Sequence, residues 1–138
     1  MLTRRIASAA VLIPLVAVAV YLGGWYLTGL LTLAGLLATG EYCALARRHG
    51  LAPLSIASLL MVPVVMVDAH LVVPALFRGS VTAFVAGTLV AFVWQRNRPG
   101  SLESWGVTVS SLFIGLGLAH FISLRALSNG IVWVALAL

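Results

Sequence analysis

The sequence predicts an all-α protein, a polytopic membrane helix bundle of about five complete spans and a truncated sixth. Of the 138 residues, 62% are hydrophobic and 8% are charged, whereas a soluble domain carries about 25% charged residues. The apolar residues form runs close to the roughly 20 residues that a helix needs to cross a bilayer, and short polar or Gly/Pro-containing links separate these runs. Most side chains are therefore expected to face lipid.

The first two spans are predicted to form a hairpin that turns at Gly23-Gly24, and they cover residues 6–22 and 25–46. Pro14 is expected to kink the first span locally. Trp25 opens the second span, where an interfacial aromatic belt would place it. The basic amino end also resembles a cleaved secretory signal, but the length of the run and the span directly behind it favour a retained helix.

The third span is predicted at about 54–70 with a kink at Pro63, followed by a link over 71–79; one long broken helix to Phe77 is the alternative. The fourth and fifth spans are predicted at 80–95 and 105–123, on either side of a polar Pro-Gly loop. A sixth run covers 131–138 and makes only about 12 Å of helix. A chain that stops within a span is expected to be a fragment.

Arginines set the predicted orientation, because the chain has eight of them and no lysine. With a cytoplasmic amino terminus, six arginines lie in cytoplasmic segments and two lie outside, which agrees with the excess of basic residues found in cytoplasmic loops. The first group is Arg4, Arg5, Arg47, Arg48, Arg96 and Arg98, and the second is Arg78 and Arg125. In this setting the net charge of +5 favours anionic lipid headgroups as partners over nucleic acid.

Small residues recur every fourth position in two spans, and such stripes allow close helix approach in lipid. The stripes are Ala83, Gly87 and Ala91 in the fourth span, and Ser111, Gly115 and Ala119 in the fifth. Both are predicted to be helix-packing faces. The sequence leaves open whether the protein is a homo-oligomer.

Glu41 is the main candidate for a functional side chain, because an ionisable group inside a span is costly. Two readings remain open: a structural pair with Arg48, seven positions on and on the same helix face, or a functional role. Asp68 and His70 are two positions apart and do not share a helix face. They lack further metal ligands and are predicted to form an outer interfacial pair.

The remaining ionisable residues are predicted to have structural rather than catalytic roles. His49 is expected to be solvated, and His120 to be packed and neutral, with Ser123 nearby for a bond between helices. Glu103 suits a helix start. No phosphate loop, metal-binding spacing or nucleophile elbow occurs, so no catalytic, cofactor-binding or metal-binding residue is assigned.

Two segments resemble the phosphatidate cytidylyltransferases, or CDP-diglyceride synthases. The first contains Met1-Leu2-Thr3-Arg4-Arg5-Ile6, Ala10-Val11-Leu12-Ile13-Pro14, the Gly-Gly break, and Glu41 followed by Ala44-Leu45. The second runs from Gly115 to Arg125 and continues with Gly130-Ile131-Val132-Trp133, and it is similar to the segment before that family's catalytic half. The middle of the chain is merely hydrophobic.

The resemblance implies an enzyme of the bacterial inner membrane that makes CDP-diacylglycerol and pyrophosphate from CTP and phosphatidic acid, with Mg²⁺. The family's metal- and nucleotide-holding residues lie in a carboxyl-terminal half rich in Lys, Arg and Asp, with a His-Gly-Gly step. This chain has no lysine, one aspartate and no such step, so no catalytic residue is carried over. The resemblance implies that residues 1–138 are the amino-terminal transmembrane portion of such an enzyme, which alone is expected to be inactive and to bind neither CTP nor metal.

Two other functions remain alternatives. The first is a small non-enzymatic membrane protein, either a transporter half or an assembly subunit, in which Glu41 would be a relay or coupling-ion residue; the lack of an inverted repeat counts against it. The second is a lipid-binding scaffold that uses its cytoplasmic arginines on anionic headgroups.

Overall fold

The structure is a computed structural model that describes residues 13–71, 74–95 and 100–137, and these ranges contain helices and connecting turns without strands. The helices are α1 (Ile13–Leu22), α2 (Gly24–Arg48), α3 (Ser55–Leu71), α4 (Pro74–Gln95), α5 (Ser101–Ser110), α6 (Leu112–Arg125) and α7 (Gly130–Ala137). The predicted all-α class is confirmed. The start of the first predicted span, its basic tip and the arginines at 96 and 98 lie outside the described residues.

Three described helices are long and apolar enough to cross a membrane: Gly24–Arg48, Leu76–Gln95 and the nearly continuous Ser101–Arg125. The described parts of the first and third predicted spans, Ile13–Leu22 and Ser55–Leu71, are apolar but shorter. Length and composition therefore identify three candidate spans within the described ranges, fewer than the five complete spans predicted.

Two predicted boundaries are wrong. The link predicted over 71–79 is too long, because α4 already begins at Pro74. Proline is favoured in the first turn of a helix, where its missing N–H costs nothing. The fifth helix begins at Ser101 rather than 105 and breaks at Ser111. Near the break, the hydroxyls of Ser110 and Ser111 donate to carbonyls three residues earlier, a pattern that often bends helices.

The main core lies between α3 and α6. It contains Met61, Val62, Val65 and Met66 from α3, and Leu112, Ala119 and Ile122 from α6. The predicted stripe Ser111–Gly115–Ala119 is buried here, and a Cβ added at Gly115 would lie 3.9 Å from Val62 Cα. Its role in helix packing is confirmed.

Most of the other predicted stripe does not pack within the described chain. Ala83 and Gly87 are exposed, and a Cβ added at Gly87 would meet nothing within 4 Å. At these two positions the prediction is wrong for contacts inside the chain, because α4 turns them outward. The third member, Ala91, is half-buried and lines a cavity beside Trp105 of α5.

A second apolar cluster joins α7 to the amino-terminal helices. Val134 of α7 is 1% exposed and packs with Ala19, Val20 and Leu27. The turn before α7 needs Gly130, because a Cβ there would overlap the backbone of Arg125. The last helix is thereby folded back onto the α1–α2 junction.

The exterior of the bundle is apolar. Large side chains such as Leu37, Ile56 and Trp94 are 71%, 76% and 88% exposed. A soluble monomer rarely exposes extended apolar patches, so these surfaces suit lipid, where helix faces are covered by acyl chains.

Candidate functional site

Glu41 projects from α2 with an exposed side chain. No ion pair joins it to Arg48 within the described ranges, so the predicted structural pair is wrong. Both side chains are exposed, and pairing two mobile exposed side chains gains little free energy. A functional role for Glu41 stays a prediction.

Asp68 and His70 are directed to different neighbours, which corrects their predicted interfacial pairing. Asp68 is buried and accepts a hydrogen bond of 2.7 Å from Ser80 Oγ of α4. His70 Nδ1 lies 3.0 Å from Thr28 Oγ1 of α2, and the His70 ring lies 4.0 Å from the Trp25 ring, centroid to centroid. The two-residue spacing places them on different faces of α3, as predicted.

Three further ionisable residues discussed above, His49, Glu103 and His120, lie at the surface. His49 is exposed, as predicted, and the exposed Glu103 lies in the first turn of α5. His120 is also exposed, and its Nδ1 lies 2.7 Å from the carbonyl oxygen of Leu116 in its own helix. The predicted packed histidine is therefore wrong, because α6 turns this position away from α3.

Two hydroxyls of α5 hold the loop between α2 and α3. Ser104 Oγ accepts from the Ala52 amide, and Thr108 Oγ1 accepts from the Leu54 amide, both at 2.9 Å. Each hydroxyl also donates to a carbonyl of its own helix, four residues earlier. These hydrogen bonds place the end of α2, the start of α3 and the start of α5 together at one end of the bundle.

The opposite end contains a cavity of about 190 Å³ where α2 begins and where α3 and α6 end. Its lining includes the side chains of His70 and Arg125 and the backbone of Gly23 and Gly24. Arg125 Nε donates to the carbonyl oxygen of Val20 at 2.8 Å. From the sequence, Arg125 is predicted only to lie outside the membrane. An arginine ending an apolar helix is a weak signal for a site, and its partners lie more than 100 positions away.

A family model described as the Cytidylyltransferase family matches residues 3–138. The chain belongs to the cytidylyltransferase family. The family includes CDP-diacylglycerol synthases, which agrees with the resemblance found in the sequence. Comparisons with curated proteins and with solved structures gave no significant match. With its long apolar helices, the chain is a membrane protein of a nucleotidyltransferase family.

The carboxylates of this cytidylyltransferase-family chain do not fit the magnesium ion that such chemistry implies. Glu41, Asp68 and Glu103 lie on three different helices, and Asp68 is buried against Ser80. No group of three His, Cys, Asp or Glu side chains in the described ranges could hold a metal ion. Magnesium is held by carboxylates together with substrate phosphates, so these three side chains do not make such a site.

Proposed function

We propose that this chain is the amino-terminal membrane portion of a phosphatidate cytidylyltransferase, which transfers CMP from CTP to phosphatidic acid. The family match over residues 3–138 carries the proposal. The phosphatidate branch is favoured by the motifs around Arg4-Arg5 and Glu41 and by the segment from Gly115 to Trp133.

In the proposed reaction, a phosphate oxygen of phosphatidic acid attacks the α-phosphorus of CTP. The bond from that phosphorus to the pyrophosphate oxygen breaks, and pyrophosphate leaves. All the reacting groups are anions, so the site must supply positive charge. The three acidic residues of this chain lie on separate helices. We therefore propose that residues outside these 138 bind the magnesium ion and the nucleotide.

The proposed contribution of this chain is to hold the lipid acceptor. The apolar exterior of the bundle offers lipid-facing surface for acyl chains. Arg47 and Arg48 are exposed in the last turn of α2, where basic side chains attract anionic headgroups. A phosphate held at this end would lie at the aqueous boundary that CTP can reach.

In the proposed topology, the chain lies in the bacterial inner membrane with its amino terminus on the cytoplasmic side. It has five complete spans and the start of a sixth. This topology places Arg48 in the cytoplasm and Ser128 outside, and both side chains are exposed. We expect Ser128→Cys, in a Cys43→Ala background, to react with a membrane-impermeant maleimide in intact cells. Arg48→Cys should react only after permeabilisation, and the reverse pattern would contradict the orientation.

The activity test uses the chain in vesicles with magnesium and CTP labelled at the α-phosphate. Alone, the chain should form no labelled lipid. Co-expressed with a polypeptide that carries the catalytic half of a family member, it should form CDP-diacylglycerol from phosphatidic acid.

Diacylglycerol serves as the control acceptor, because it has the same acyl chains without the phosphate. The catalytic half without this chain controls for independent activity. Labelled product from the 138 residues alone would show that the catalytic groups lie within them. Equal use of diacylglycerol would refute the phosphatidate assignment.

A further inference from the structure

We propose that the cavity between the start of α2 and the ends of α3 and α6 binds a phosphate oxyanion through Arg125 and His70. The shared chemistry fits a phospholipid headgroup or free phosphate. The site lies at the opposite end of the bundle from Arg47 and Arg48, so it does not depend on the proposed cytidylyl transfer.

The charge of Arg125 has no carboxylate counterion within the described ranges. Its Nε donates to Val20 O at 2.8 Å and its Nη2 donates to Tyr21 O at 3.3 Å. A guanidinium has five N–H donors. Two of those of Arg125 cap the end of α1, so three N–H groups remain. The side chain is half-buried in an apolar bundle, where an uncompensated charge is costly. An anion in the adjoining cavity would compensate it.

The rest of the cavity lining is also suited to an anion. His70 Nδ1 contacts Thr28 Oγ1, and in the tautomer whose Nδ1 accepts from Thr28 the Nε2–H remains as a donor for an anion. Gly24 begins α2, whose start has no side-chain cap, and a helix start favours negative charge. The lining residues include no Asp or Glu.

Gly23 permits this arrangement because its φ is +64°, and the Arg125 guanidinium lies in van der Waals contact with the position that a Cβ would take there. Only glycine adopts such a backbone readily. The Gly-Gly break thus brings the guanidinium against the start of α2, in addition to turning the chain.

The depth of the site favours a lipid headgroup. Tyr21, Trp25 and Tyr26 are exposed at the same end, and exposed aromatic rings of this kind lie at the membrane–water interface. Lipid phosphates lie at that depth. A single water needs only about 10–15 Å³ of cavity volume, so the cavity of about 190 Å³ has room for a phosphate group.

The test follows Trp25 fluorescence, because this ring stacks on His70. The full chain in neutral detergent carries Phe in place of Trp94, Trp105 and Trp133. It is titrated with short-chain phosphatidylglycerol, with diacylglycerol and with inorganic phosphate. We expect a saturable change with phosphatidylglycerol and none with diacylglycerol. Competition by inorganic phosphate would identify the free anion as a ligand, and its failure would identify the lipid headgroup.

The decisive variant is Arg125→Gln, and Arg78→Gln is its control, since it removes the same charge from an exposed position outside the cavity lining. Arg125→Gln should weaken phosphatidylglycerol binding at least about tenfold, and Arg78→Gln should leave it within about twofold. His70→Phe is a second variant if Arg125→Gln does not fold, because it keeps an aromatic ring against Trp25 and removes the nitrogens. It should also weaken binding several-fold. Unchanged binding in a folded Arg125→Gln or His70→Phe chain would overturn the proposal.

Discussion

The carboxylate of Asp68 accepts a hydrogen bond of 2.7 Å from the hydroxyl of Ser80, which joins α3 to α4. Asp68 is 8% exposed, so this bond satisfies an acid that lipid-facing surroundings would not solvate. Ser80 Oγ also lies 3.0 Å from the carbonyl oxygen of Phe77 in its own helix. Both neighbours are acceptors and the hydroxyl has one proton, so the shorter contact assigns that proton to Asp68.

Ser80→Ala should lower the free energy of unfolding by about 1–3 kcal/mol, because a buried polar group loses its partner. Asp68→Asn should cost less, since the amide oxygen can accept the same bond without a buried charge. Thermal unfolding in detergent, followed by circular dichroism, measures both. Ser123→Ala is the control, because Ser123 is exposed and makes only a 3.4 Å contact within its own helix. Equal stability of the two serine variants would contradict this account.

Gly35 allows α2 to approach α3 and α6. A Cβ added there would lie 2.8 Å from Val62 Cγ1 and 3.2 Å from Leu118 Cδ1. Because Val62 is β-branched and buried, it cannot easily move aside. Gly35→Ala should therefore destabilise the chain by about 1–3 kcal/mol. Gly40→Ala, on the same helix with nothing within 4 Å, should be neutral or stabilising. A melting temperature for Gly35→Ala at or above that of Gly40→Ala would disprove the close contact.

Thr108→Val should release the loop between α2 and α3, since the Leu54 amide loses its acceptor. The expected loss is about 1–3 kcal/mol, with faster hydrogen exchange at the Leu54 amide. Thr88→Val is the matched control: Thr88 is also buried, but its hydroxyl bonds only within its own helix. If Leu54 exchanges at the wild-type rate in Thr108→Val, the hydroxyl does not hold the loop.

Trp94 should face lipid, because 88% of it is exposed on an apolar helix. Trp105 is half-buried with its Nε1 enclosed. In single-tryptophan chains reconstituted with brominated lipids, Trp94 fluorescence should be quenched more strongly than Trp105 fluorescence. Stronger quenching of Trp105 would place the lipid-facing surface elsewhere.

Local sequence features predicted much of the fold. The hairpin turn at Gly23-Gly24, the helices and the packing stripe through Gly115 depend on composition and spacing within a few turns. The candidate cavity could not be predicted in this way. Arg125 and Val20 are 105 positions apart, and nothing near either residue indicates that they meet.

The sequence by itself determined an all-helical membrane protein of the cytidylyltransferase family and the approximate positions of its helices. Tertiary structure alone decided that Asp68 faces α4, that His120 and Gly87 face outward, and that Arg125 reaches the α1–α2 junction. The physical reason is that lipid is as apolar as the protein interior. Since these helices are hydrophobic on nearly every side, hydropathy cannot distinguish a face that packs from one that contacts acyl chains.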